Sequence, residues 1–195
     1  MKNQFKYVLA VGSVVFALST SSFAIVFSNV TIGGSLSSGA SYFTGTNDID
    51  FFFPNAIVGD PVDPVRQGNI IITYEAQADT NLDFVDINIV SLLGALDGSG
   101  RIYFNEVVED MVTPGIIASY DALILPGDLP FFDTIQFERP SSHIKVKKTF
   151  SLFAEDTDAF DVAQISLVEQ NFVPEPATLL AIGAGLAALA ARRRK

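Results

Sequence analysis

The side chains able to do covalent or metal chemistry in this chain are few. His143 is the single histidine, and there is no cysteine. A serine hydrolase needs Ser, His and an acid converging from separate parts of the fold. Here His143 stands beside Ser141 and Ser142 in one short stretch, and no Gly-x-Ser-x-Gly elbow presents a nucleophile. Catalytic zinc takes three protein ligands, usually including His or Cys, and the chain does not supply them. Gly94, Gly98 and Gly100 lack the spacing of a phosphate-cradling loop and precede no helical pattern. Without cysteine, disulfides, thiol nucleophiles and thiolate metal sites are excluded together.

What remains is the chemistry of oxygen and of aromatic rings. Glycoside hydrolysis needs two carboxylates at a fixed separation. The chain has 22 acidic residues, but no pair is singled out by a motif. Calcium takes carboxylate and carbonyl oxygens, often from loops. Three groups have that character: Asp48 with Asp50, Asp79 with Asp83, and the run Glu155-Asp156-Thr157-Asp158-Ala159-Phe160-Asp161. In the last, Asp156, Asp158 and Asp161 crowd one loop, where a cation would relieve their repulsion. The alternative is a set of loop acids held in solvent, and none of the groups follows the EF-hand pattern. Asn29-Val30-Thr31 has the form of a glycosylation sequon. Phe occurs 17 times and Trp not at all. Phe51-Phe52-Phe53 and Phe131-Phe132 must alternate between the faces of a strand, one ring entering the core and its neighbour free to stack on a sugar. The absence of Trp favours the core reading.

The elements that would position these groups read as strands. Residues 85–89 alternate apolar and polar, as a strand with one buried face does. Ile144, Val146, Phe150 and Leu152 share one parity. Lys145 and Lys147 take the other, and Lys148 interrupts the apolar side. Further strands are expected at 25–32, 70–74, 101–104, 133–137 and 163–167. Turn residues separate the runs: Gly33-Gly34, Gly59-Asp60-Pro61, Asp97-Gly98-Ser99-Gly100, Pro126-Gly127-Asp128 and Arg139-Pro140-Ser141. Ser91 to Leu96 could form a helical turn whose length Gly94 and Gly98 limit. Many short strands with regular turns predict an all-β, jelly-roll-like antiparallel β-sandwich. A body of this length buries about two-thirds of the surface of its unfolded chain, enough for one core.

Charge and hydropathy divide the chain into three. Lys2 and Lys6 precede the apolar run Tyr7–Leu18, and Ser22-Phe23-Ala24 ends a small-residue segment. This is the pattern of a signal peptide over 1–24, cut after Ala24 by signal peptidase; the apolar run is too short for a stable span. At the other end, Val173-Pro174-Glu175-Pro176-Ala177-Thr178 leads into an uncharged Ala-, Leu- and Gly-rich segment to Ala191. Arg192, Arg193, Arg194 and Lys195 close the chain. Ala177–Ala191 would span about 22 Å as a transmembrane helix, with the basic end cytoplasmic. Residues 25–173 keep six basic residues against 21 acidic ones, a net charge of −15. That balance repels phosphate-bearing surfaces and argues against nucleic acid and anionic lipid as partners.

The order Pro174-Glu175-Pro176, apolar helix, Arg-rich end resembles the PEP-CTERM sorting signal of exosortase substrates, a tail family also labelled ice-binding protein C-terminal. The resemblance covers residues 174–195. It implies cleavage near Pro174–Pro176 by an exosortase, transient anchoring in the inner membrane, and delivery to the cell surface or extracellular matrix, often alongside exopolysaccharide. The expectation is a non-enzymatic, processed surface protein whose 25–173 domain associates with extracellular polysaccharide or with other copies of itself. The alternatives are a carbohydrate- or calcium-binding module and a small glycoside hydrolase.

Overall fold

The computed structural model describes residues 24–62, 64–78, 85–157 and 159–174. The expected signal helix, Glu175, Pro176, the transmembrane helix, the basic end, Asp158 and the Asp79–Asp83 pair lie outside the described residues.

The described chain is all-β: β1 Ile25–Gly33, β2 Ser41–Thr44, β3 Asp48–Phe52, β4 Ile57–Gly59, β5 Gln67–Ala78, β6 Val85–Asp97, β7 Arg101–Asp110, β8 Gly115–Ile124, β9 Phe131–Ser141, β10 His143–Phe153 and β11 Val162–Pro174. Two antiparallel sheets form, with orders β1-β5-β10-β7-β8 and β2-β3-β11-β6-β9, and β4 pairs with β11. The chain passes repeatedly from one sheet to the other, giving the expected sandwich. Period-two patterning drives this arrangement. In β10 every even-numbered residue from Ile144 to Leu152 is buried, while the odd-numbered ones reach the surface. β5 and β7 repeat the pattern on either side.

Two expectations change. Residues 91–96 belong to β6 and are not helical: Leu93 pairs with Leu167 and Gly94 with Ile165 of β11. The strands approach so closely that a Cβ on Gly94 would lie 1.9 Å from the Gln164 carbonyl oxygen. The glycine that suggested a broken helix is what lets two backbones meet. Strands β2, β3, β4 and β8 were not anticipated. In β8 a register irregularity opposite Val108 and Glu109 disrupts the alternation that would have marked it.

The core lies between the sheets. Phe51 and Phe53 point into it and Phe52 points out, as consecutive aromatics must. Phe104 and Phe150 stack with centroids 4.8 Å apart and planes within 7°. Tyr74 packs against Phe27, Phe51 and Phe172. Lys148 keeps the inward parity despite its charge. It is fully buried, its Nζ donates to the equally buried Glu106 Oε2, and it lies 5.5 Å from the centre of the Phe104 ring. Burial pushes the Lys148 pKa down, and Glu106 opposes that.

Removing one partner of a buried pair leaves an uncompensated charge. Glu106→Ala is therefore expected to cost about 3–5 kcal/mol, whereas the paired replacement Glu106→Leu with Lys148→Met recovers most of that. Urea denaturation of the two variants checks this; equal losses would contradict it.

Candidate functional site

The outer face of the β1-β5-β10-β7-β8 sheet brings an exposed tyrosine together with amides, hydroxyls and charged groups. Register sets its rows. Arg101, Phe153 and Gln67 lie across one end. Leu123, Tyr103, Ser151 and Asn69 follow, then Asp121, Asn105, Thr149 and Ile71. Beyond them stand Val107, Lys147 and Thr73, and then Glu109, Lys145 and Glu75.

The first rows form an aromatic platform. Tyr103 is 47% exposed. It meets Phe153 edge-on with centroids 5.6 Å apart, and the Arg101 guanidinium carbon lies 5.7 Å from the Phe153 ring centre. Amides and hydroxyls border the rings. Asn105 Nδ2 donates to Asp121 Oδ1 at 2.9 Å, and the Asn69 amide oxygen accepts from the Ser35 backbone and hydroxyl. Three shallow depressions run along the face. One of about 310 Å³ lies beside Tyr103, Asn105, Asp121 and Leu123. One of about 420 Å³ lies at Gln67, Asn69, Ser151 and Phe153, and one of about 570 Å³ at Thr73, Val107, Lys145 and Lys147. The first has a single lining carboxylate, Asp121, and the third has Glu109. No two carboxylates face each other across any one of them, as glycoside hydrolysis would need.

A hydrogen-bonded staple holds the platform. Arg101 pairs with Glu155 at 2.7 Å, and Ser99 Oγ accepts from the Glu155 backbone N–H at 2.7 Å. The Ser99 N–H donates to Asp161 Oδ1 at 2.6 Å, and Thr157 donates to Asp161 Oδ2 from its N–H at 2.9 Å and its hydroxyl at 2.5 Å. Asp60 accepts the Asp161 N–H and also pairs with Arg66, which reaches Asp156 at 3.1 Å. Three loops, near residues 60, 98 and 157, are thereby tied at one end of the sandwich.

Two of the three expected metal residues, Asp156 and Asp161, fall here. Asp161 is buried with both oxygens occupied by protein donors, and Asp156 is exposed and paired with Arg66. Among the described residues no group of three or more acids or His is arranged to hold a metal ion. Hydrogen bonds from Thr157 and then Ser99 hold the Asp161 carboxyl well below its ordinary range. Asp48 and Asp50 sit on the other sheet, where desolvation first, then Asp48 and Glu169, push Asp50 up. His143 turns away from the serines: its Nε2 lies 3.0 Å from Glu75 Oε2, while Ser141 Oγ donates to buried Asp110 at 2.7 Å. Phe52 and Phe132, the outward members of their runs, are exposed on the opposite sheet. Tyr103, Arg101 and Asn105 were missed in sequence because each sits singly in an alternating strand. Ala24 directly precedes β1, and Pro174 ends β11.

Residues 172–195 match the model of the PEP-CTERM protein-sorting motif, which implies export, transient membrane anchoring and exosortase processing. No curated protein matches the chain. Among solved structures, TmCBM61 in complex with β-1,4-galactotriose is similar at 9% identity, covering 76% of this chain and 90% of its own, with a TM-score of 0.41. The family 11 carbohydrate-binding module of the cellulosomal cellulase Lic26A-Cel5E of Clostridium thermocellum is similar at 10% identity, with coverages of 79% and 88% and a TM-score of 0.26. The enzymatically active domain of tailspike protein 4 of bacteriophage CBA120 is similar at 9%, with coverages of 78% and 20% and a TM-score of 0.32.

The staple makes stability acid-sensitive. Asp161 titrates lower folded than unfolded, so its contribution is complete above the ordinary value near 3.8 and drains away as pH falls below it. Asp110 has the same sign: burial pushes it up, but Ser141, Val112, Thr113 and Arg139 outweigh that. Asp161→Asn is expected to lower the urea midpoint at pH 6 and to flatten its decline below pH 4. Parallel pH profiles for the variant and the parent would contradict the assignment.

Proposed function

We propose that this chain is an exported, exosortase-processed protein of the cell surface or extracellular matrix, and that its non-catalytic sandwich holds extracellular polysaccharide on the outer face of the β1-β5-β10-β7-β8 sheet. The single observation that carries the reading is the Tyr103–Phe153–Arg101 platform bordered by Asn105, Ser151, Thr149 and Asn69. A sugar ring presents an apolar face and a rim of hydroxyls. Exposed aromatic rings take the first, and amides and hydroxyls take the second. The depressions are open and lie in sequence along β10, which at about 3.3 Å per residue extends for roughly 36 Å. A long, extended occupant fits that form better than a compact small molecule does.

Processing at the two ends completes the proposal. Signal peptidase cuts after Ala24, directly before β1, so no strand residue is removed. Exosortase acts near Pro174-Glu175-Pro176, at the end of β11. The basic end Arg192–Lys195 is then absent from the mature surface protein. Mass spectrometry of that protein from its host tests this: recovery of an intact Lys195 terminus on the cell surface overturns the processing.

Truncating a central aromatic anchor commonly costs about 2 kcal/mol, or roughly 30-fold in affinity. Tyr103→Ala is expected to lose binding to the host's extracellular polysaccharide by that factor in affinity electrophoresis, while Phe132→Ala on the other sheet leaves it unchanged. The reverse pattern would move the site, and unimpaired binding by both variants would remove it.

A further inference from the structure

We infer that the polysaccharide held on this face is acidic, a uronate-bearing polymer whose carboxylate is received by Lys147; the inference rests on the polysaccharide reading above. The body has six basic residues. Four are committed to carboxylates: Arg66 to Asp60 and Asp156, Arg101 to Glu155, Arg139 to Asp110, and Lys148 to Glu106. Lys145 stands directly across the strands from Glu75 on one side and Glu109 on the other. Lys147 differs. Its cross-strand neighbours are Thr73 and Val107, it is exposed, and it has no ion pair among the described residues. In a body with 21 acids and six bases, a cation left without a carboxylate on the one face that also carries the aromatic platform calls for a ligand.

The energetics favour an anion over a neutral sugar. Covering Lys147 with a neutral ring takes water from an ammonium group and returns only hydroxyl contacts, whereas a carboxylate returns a charge-assisted hydrogen bond. The acidity of the rest of the body does not prevent this. At physiological salt, charges farther than about 8 Å from Lys147 are largely screened, and Glu109, the acid lining the same depression, stands directly across the strands from Lys145. Spacing fits as well. Lys147 and Phe153 lie on the same side of β10, six residues apart, or about 20 Å. A polymer can therefore stack one ring on the platform while a more distant residue of the same chain reaches the lysine.

The test compares polygalacturonate and alginate with their carboxyl-reduced, neutral counterparts, using the 25–173 body as part of the full chain and affinity electrophoresis as the readout. The parent is expected to prefer at least one polyuronate over its reduced form by tenfold or more. Lys147→Gln should lose that preference yet keep the affinity for the neutral form, and Lys147→Arg should retain the preference. Tyr103→Ala should weaken binding to both forms. Equal affinity for acidic and reduced polymers, or an undiminished preference in Lys147→Gln, overturns the acidic assignment and leaves polysaccharide binding standing. No binding to any of these polymers or to the host's own polysaccharide overturns both.

Discussion

Lys148 and Glu106 meet across β10 and β7 with no access to solvent, and the outer surface of the sheet depends on that meeting. Side chains alternate along a strand, so a slip of one residue exchanges the two faces. A slip of β10 would bring Lys147 into the core and send Lys148 out, and a slip of β7 would exchange Phe104 with Tyr103. Burying one ion without its partner costs several kcal/mol, so every register that separates the two is penalised. An apolar pair in the same place would hold the sheets together as well but would discriminate less among registers. The buried pair therefore reinforces the period-two apolar pattern in selecting which residues face out. That selection puts Tyr103, Asn105, Thr149, Ser151 and Lys147 on one surface.

Register fixes which residues face outward, but it does not fix the orientation of the rings. Phe153 is the last residue of β10 and Arg101 the first of β7, positions where strands fray. The staple through Glu155, Ser99, Thr157 and Asp161 anchors both ends. Arg101 is held by Glu155, Glu155 by Ser99, and Ser99 by Asp161. Gly98, with φ of +56°, permits the turn that brings the Ser99 N–H to the Asp161 carboxylate. The acidic loop that resembles a cation site in sequence is thus tied by donors from the protein itself, with Arg66 supplying the positive charge between Asp60 and Asp156.

The fold was legible where strands obey strict alternation. β10 declared itself through Ile144, Val146, Phe150 and Leu152, and even Lys148 was visible as a break in the pattern. What the sequence could not reveal was that Glu106, 42 residues earlier, would neutralise it. β8 was illegible because its irregular register mixes parities. The 91–96 segment misled because a glycine reads alike whether it ends a helix or admits a neighbouring backbone. The site was less legible than the fold. Conspicuous Phe runs drew attention to the opposite sheet, while Tyr103 and Phe153 are single aromatics from strands that only pairing brings together. The tail was the most legible part, since its chemistry is local and needs no tertiary contact to be read.

The placement of β11 separates attachment from recognition. It lies between β6 and β3 in the interior of its sheet and runs to Pro174, the first residue of the sorting motif. A pull applied through the tail while it is anchored enters along β6 and, from Asn171 inward, meets a strand paired on both sides, rather than an edge that would peel. The proposed binding face belongs to the other sheet, with the packed core between. Load on a bound polymer would then pass through β10 and the core to β11, across phenylalanine contacts such as Phe104–Phe150 and Phe51–Tyr74. A domain held at one side and loaded at the other would gain from this arrangement, because neither sheet would carry both functions.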